Sequence, residues 1–230
     1  MGTNEERIGA LEKQLEELTN RIGMLEDANA IRTLQHKYGY YMDKSFYEAI
    51  IELFTEDCEI HFLGGIFRGK AGARRLFIDR FRANFARGVD GPKNGILMEH
   101  PQLQDVITVA PDRKTAKARF RYFMQAGTHY TTGKAYQFWE GGLYENVYSK
   151  ENGVWKIKVL IPKMVYVTEY QTGWAYTRPQ YVTFMEKTYP EDPLGPDELA
   201  PEERVLWPDV DLLPFHYPHP VTGEEVPSNK

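Results

Sequence analysis

Residues 31–44 of the chain read IRTLQHKYGYYMDK, and helical spacing sets His36, Tyr40 and Asp43 along one side. A carboxylate at the end of a helix rich in tyrosine is a candidate acid–base group beside a pocket. Tyrosine phenols can donate to a developing oxyanion or to a leaving group. Further along stand His100 in MEHPQLQDV, Lys134 in TTGKAYQF and Tyr144 in GGLYENVY. A lysine in an apolar pocket can act as acid, base or phenolate partner. Each residue also has a plainer reading. Asp43 heads DKSFYEA and can cap the next helix; His100, before Pro101, can be a strand-end histidine satisfied by backbone. His36 reads as a helix-surface residue, and His216 and His219 in HYPH read as tail residues. One such histidine pair with no acidic or cysteine partner nearby gives no metal centre.

The elements that would position these residues follow from composition and periodicity. The chain has 230 residues, 42% of them hydrophobic, enough for one sizeable domain with extensions. Its net charge of −5 and scattered basic residues argue against a nucleic-acid surface. No apolar run reaches the ~20 residues needed to span a bilayer. A charged N-terminus without an apolar stretch predicts no signal peptide. The single Cys58 excludes an internal disulfide and fits a reducing, cytoplasmic setting; beside a strand, it reads as buried and not nucleophilic. There is no G-x-G-x-x-G and no G-x-x-x-x-G-K-[ST] run, so no nucleotide-phosphate loop is expected.

Ile8, Leu11, Leu15, Leu18, Ile22 and Leu25 form a heptad stripe over residues 5–27. That stripe fits a short coiled coil, or a helix packed on its own domain or on a neighbouring subunit. Three heptads alone are marginal in water, so packing in a homo-oligomer of unspecified order is favoured. Helices are expected over residues 28–44, 45–56 and 70–87, with a short strand at 59–63 and a turn at Gly64-Gly65. Residues 88–95, GVDGPKNG, read as a loop. Strands follow at 99–109, 116–126, 134–149 and 154–161. In the strand 116–126, Ala116, Ala118, Phe120, Tyr122 and Met124 share one face. Gly141-Gly142 marks an expected bulge in 134–149. Ten of the 14 prolines lie from Pro179 onward, so 179–230 reads as an extended arm, with Trp207, Phe215 and Tyr217 as docking points. Helices first, then long antiparallel strands, predict an α+β domain. Three parts result: a heptad-like helix (1–27), a catalytic domain (28–178) and a Pro-rich arm (179–230).

The ordered pieces AIRTLQHKYGYYMDK, LFTED, GGIFRGKAGARRLF, MEHPQLQDVITVAPDRKTAKARFRYFM and GGLYENVYSKENGVWKIKVL cover about residues 28–165. Together they resemble the NTF2-like superfamily, in its SnoaL-like, scytalone dehydratase-like and dehydrochlorinase-like branch. The resemblance implies a cone-shaped fold, a curved, mostly antiparallel sheet wrapping helices around one deep cavity. It also implies an Asp and a His facing each other across that cavity, at Asp43 and His100. The strand 116–126 lacks the second histidine of the dehydratase pattern unless His129 substitutes.

If Tyr144 faces the cavity, as the resemblance implies, strand parity brings Lys134, Tyr136, Phe138 and Glu140 to the same face. The expected catalytic set is therefore Asp43, His100, Tyr40, Tyr144 and Lys134. The expected substrate-binding set is Tyr122, Met124, Tyr136, Phe138 and Glu140. In such a site the histidine takes a proton, and the aspartate orients the ring. This toolkit suits elimination on a small aromatic substrate without cofactor. The resemblance points most narrowly to bacterial lyases that release formaldehyde from lignin-derived diarylpropane diols to give a stilbene. A dehydratase or cyclase of polyketide- or steroid-like substrates is the first alternative, and a non-catalytic ligand-binding or assembly module the second.

Overall fold

The computed structural model describes residues 3–178, 181–200 and 205–226. One helix, α1 (Asn4–Asp43), runs without a break across the junction expected at residues 27 and 28. Its start is a capping box: the Thr3 hydroxyl accepts the Glu6 N–H, and the Glu6 carboxylate accepts the Thr3 N–H. Forty residues at 1.5 Å each make a rod of about 60 Å. Residues 4–22 are exposed along their length. From Gly23 onward, Asp27, Ile31, Gln35, Tyr38 and Met42 are buried at three- and four-residue spacing and pack on the sheet.

The second helix, α2 (Tyr47–Ile51), is shorter than the 45–56 expected from the apolar run. Residues that read as its end instead begin β1 (Phe54–Phe62), because Phe54 and Ile60 pair with a late strand, opposite Ile157 and Leu160. Long-range pairing overrides local periodicity there. A hairpin turn leads to β2 (Gly65–Arg68), then α3 (Gly69–Arg74), which continues as a π-helical stretch, Arg75–Arg82. Phe77, Phe81 and Phe85 stack edge to face along it, at 5.5 and 5.3 Å between ring centres.

The remaining strands are β3 (Ile96–Glu99), β4 (Gln102–Val109), β5 (Thr115–Thr128), β6 (Tyr136–Glu151), β7 (Val154–Leu160) and β8 (Pro162–Glu169). A short helix α4 (Gly173–Tyr176) and a two-residue strand β9 (Glu198–Leu199) follow. The sheet order is β3-β5-β6-β7-β1-β2-β9, with β4 also on β5 and β8 also on β6. Among the described residues, all pairs are antiparallel except β1 with β7. This curved α+β sheet, wrapped around helices, is the expected fold class. The strand β8 had no counterpart in the sequence reading.

The C-terminal arm packs on its own domain. The strand β9 extends the edge at β2, Trp207 donates its indole N–H to the Trp174 carbonyl, and Phe215 covers the Arg119 guanidinium at 4.3 Å. His216, expected as a tail residue, is buried with its Nδ1 on the Glu145 carboxylate. Cys58 is buried, and burial pushes its thiol up to about 11, away from nucleophilic use.

Candidate active site

A cavity of about 510 Å³ opens between the sheet and the helices. Its walls are mostly apolar: Phe77 and Phe81 from the helical side, Met98, Met124 and Phe138 from the strands. Polar groups converge at one place in it: Tyr38 from α1, His100 from the β3–β4 junction, Tyr122 from β5, and Glu140 and Tyr144 from β6. Glu140 accepts the Tyr122 hydroxyl at 2.9 Å. The Tyr144 hydroxyl lies 3.3 Å from His100 Nε2, and the Tyr144 ring meets that of Tyr38 edge to face at 6.0 Å between centres. The rings pack as a cluster, His100 to Tyr122 at 4.7 Å and Tyr122 to Tyr144 at 5.1 Å between centres. His100 Nδ1 is buried with no hydrogen-bond partner.

Burial sets the protonation of this cluster. The His100 imidazole is pulled down to about 4 by desolvation, so the ring is neutral at pH 7. Desolvation pushes the Glu140 carboxyl up to about 7, against the opposing hydrogen bond from Tyr122. Burial also raises Tyr38, Tyr122 and Tyr144, which stay protonated donors. A neutral base and a carboxyl poised near pH 7 therefore share one apolar chamber.

His100 is fixed from both sides of its backbone. Its N–H donates to Asp43 Oδ1 at 2.6 Å, and its carbonyl accepts from Gln102 Nε2 at 3.0 Å. Gln102 in turn accepts from Gln35 at 2.7 Å, within a buried network that includes Asn146 and Tyr148. Pairing to β5 keeps one register on both sides of His100-Pro101, Glu99 opposite Gln125 and Gln102 opposite Tyr122. The dipeptide thus breaks the ladder where a ring must turn inward.

Strand parity brings Tyr136, Phe138, Glu140 and Tyr144 to the cavity together, because β6 runs opposite β5 without interruption. Tyr122 and Met124 face them from β5. The irregularity expected at Gly141-Gly142 lies on β8 instead: Gly141 pairs with Tyr166 and Gly142 with Met164, leaving Val165 as the extra residue. Both glycines are still required. A Cβ at Gly142 would sit 2.2 Å from the Lys163 carbonyl and 2.8 Å from the Tyr122 hydroxyl.

Three expected catalytic residues take other places. Asp43 is half-buried in a separate groove with His36, Tyr40 and Gln102, and it meets His100 through the backbone, not through the ring. Tyr40 is 72% exposed in that groove; three residues before Asp43, it follows Asp43 out of the core. Lys134 is exposed in the loop before β6, two residues short of the strand that parity needed. His129 is exposed and bonded to Thr131, so it supplies no second cavity histidine. The cavity's lysine is Lys163, on β8, ion-paired with Asp211 of the arm at 2.6 Å. Tyr38 is a further addition, and its signal was the apolar stripe it continues from Ile31. Tyr181, Val182 and Phe184 of the arm also line the cavity, and the Tyr181 hydroxyl meets that of Tyr136 at 2.8 Å.

Among the described residues, no group of three or more His, Cys, Asp or Glu is placed to hold a metal ion. Among them, no helix is long and apolar enough to cross a membrane.

A curved, mostly antiparallel sheet wrapped around helices is the fold of the NTF2-like class of α+β proteins. The chain belongs to the SnoaL-like domain family of that superfamily, whose model matches residues 23–161. Solved structures agree in fold. A LinA structure aligns with a TM-score of 0.54 at 15% identity, over 73% of this chain and 99% of its own. The hexachlorocyclohexane dehydrochlorinase LinA-type3 from Novosphingobium barchaimii LL02 aligns at 0.53 and 16%, over 73% and 99%. A scytalone dehydratase-like protein from Novosphingobium aromaticivorans DSM 12444 aligns at 0.52 and 22%, over 65% and 91%. No curated protein matches the sequence.

Proposed function

We propose that the protein is a cofactor-independent lyase acting on an aromatic small molecule, with a lignin-derived diarylpropane 1,3-diol as the leading substrate. The observation that carries this reading is the shared chamber of a neutral His100 and a Glu140 carboxyl near pH 7, walled by aromatic rings. Its volume of about 510 Å³ lies within the range of small-molecule sites and suits a two-ring molecule. Dehydrochlorinases among the proteins of the same fold carry out elimination by name.

The bond changes need one base and one acid. His100 takes the proton of the hydroxymethyl group. The C–C bond to that carbon breaks as its C=O forms, and formaldehyde leaves. The released electron pair forms the C=C bond of the stilbene and expels the benzylic hydroxyl, which takes a proton from Glu140 and departs as water. Diol becomes stilbene, formaldehyde and water, with no net oxidation or reduction. Proton return from His100 to Glu140 restores both groups. Tyr144 and Tyr38 donate to substrate oxygens, and Asp43 acts by positioning the His100 backbone.

A dehydratase or cyclase would use the same acid and base but keep every carbon. The absence of a second cavity histidine among the described residues weighs against the scytalone reaction itself. A non-catalytic binding module would leave the substrate unchanged. Incubation with a panel of diarylpropane diols, analysed by chromatography with a formaldehyde trap, separates the three. The proposal expects stilbene and formaldehyde; water loss alone, or unchanged diol across the panel, rejects it.

A further inference from the structure

Six large aliphatic side chains stand on the outside of α1. Ile8, Leu11, Leu15, Leu18, Ile22 and Leu25 are each between 51% and 72% exposed. In heptad terms they are consecutive a and d positions, with Ile, Leu, Ile at a and Leu at every d. The helix meets its own domain through the opposite side, at Gly23 (b) and Asp27 (f), both buried. The seam therefore points away from the domain that carries it. It ends where α1 joins the sheet: the next d position holds Arg32, whose guanidinium is bonded to Asp105 at 2.8 Å.

The flanking charges say what covers the seam. The g positions are Arg7, Gln14 and Arg21; the e positions that follow are Glu12, Thr19 and Glu26. In a parallel pair each g residue faces the e residue five places on in the other helix. Arg7 then meets Glu12, Gln14 meets Thr19, and Arg21 meets Glu26: two attractive pairs, one neutral, and each made twice. An antiparallel pair would set g against g and e against e, arginine on arginine and glutamate on glutamate. Ile at two of the three a positions, with Leu at every d, adds a preference for two strands.

We propose that residues 5–28 of α1 form a parallel two-stranded coiled coil with a second copy of this chain, joining two domains through their N-terminal rods. The domains then lie side by side at the same end of the coil, on its outer faces, with both cavities left open.

The test uses the full-length protein carrying Leu11→Cys, at a d position. Cys58 is buried with a raised thiol pKa and stays silent. Under glutathione redox buffer a parallel pair links position 11 to position 11, and the expected product is a covalent dimer. In that background, Arg7→Glu with Arg21→Glu, and separately Glu12→Arg with Glu26→Arg, each set like charges across the seam. Each variant alone should lose cross-linking several-fold; an equimolar mixture should recover it, as the mixed dimer. Absence of the position-11 link in the starting protein, or cross-linking indifferent to both charge reversals, overturns the proposal. Circular dichroism on each variant confirms that the domain is folded, so loss of the link reports the seam alone.

Discussion

The Asp43 carboxylate holds His100 by its backbone N–H, at 2.6 Å, while the His100 ring turns to Tyr144 on the far side. A pairing that looks like a catalytic dyad in sequence is in this structure a clamp on a loop. The distinction is measurable. An Asp43→Asn side chain keeps an oxygen that accepts the same hydrogen bond, so its loss in kcat should be small and its pH profile unchanged. Asp43→Ala leaves the His100 N–H without its acceptor and should cost about 1–3 kcal/mol in denaturant unfolding. A dyad aspartate would instead show a large kcat loss in the Asn variant.

The Glu140 carboxyl, near pH 7 because it is buried, should leave its mark on rate and on stability. The pH profile of kcat/KM should show an ionisation near 7 that vanishes in Glu140→Gln, with a rate loss of about 10²–10⁴. Tyr122 donates to the carboxylate and so lowers this value; Tyr122→Phe should move the ionisation above 7. For stability the sign is that of a raised acid. The folded state holds the proton more tightly than the unfolded one, so stability falls as pH rises from about 4.5 through about 7. The full excursion is about 3 kcal/mol. Unfolding of Glu140→Gln against pH should lack this decline.

Asp27 shows the opposite sign. It is buried where α1 meets the sheet, and burial alone would raise its pKa. Hydrogen bonds from Arg113, Lys150 and Trp155 outweigh that and bring it to about 2. Its stabilisation, about 2 kcal/mol, is present above pH 4 and lost as pH falls through 2. Asp27→Ala at pH 7 leaves Arg113 and Lys150 facing a buried gap and should cost about 3–5 kcal/mol. Chemical denaturation at pH 7 and at pH 2 measures both, and the gap between variant and parent should narrow at the lower pH.

Gly142 makes room for Tyr122. In Gly142→Ala the added methyl meets the Lys163 carbonyl, which is backbone and cannot swing aside. Overpacking of about 1–3 kcal/mol is expected. Displacement of the Tyr122 ring should also weaken its bond to Glu140, so the ionisation seen in the rate profile moves upward with the loss of stability. A stability loss without that movement would separate the glycine from the site.

Much of this was legible from the chain. The resemblance placed Tyr144, and parity carried Tyr136, Phe138 and Glu140 to the same cavity, because period-two geometry survives wherever a strand is paired without interruption. Lys134 failed by two residues, since the strand starts at Tyr136 and an unpaired loop has no parity. Tyr40 failed for a different reason. Helical spacing tied it correctly to Asp43, but Asp43 faces the outer groove, and the buried stripe runs through Tyr38 and Met42 instead. Lys163 could not be found, because β8 gains its identity by pairing with the first half of β6, a contact no local pattern announces. The perturbed ionisations of Glu140 and His100 are properties of the closed chamber and exist only once the sheet has wrapped.

The central claim is that Glu140 and His100 run a fragmentation in this cavity, and its most direct measurement is product stoichiometry. A purified protein supplied with a diarylpropane 1,3-diol should yield one formaldehyde for each stilbene. Glu140→Gln and His100→Ala, shown to be folded, should each reduce both products together by about 10²-fold or more. A product that retains every carbon, or full formaldehyde release by either variant, would contradict the account.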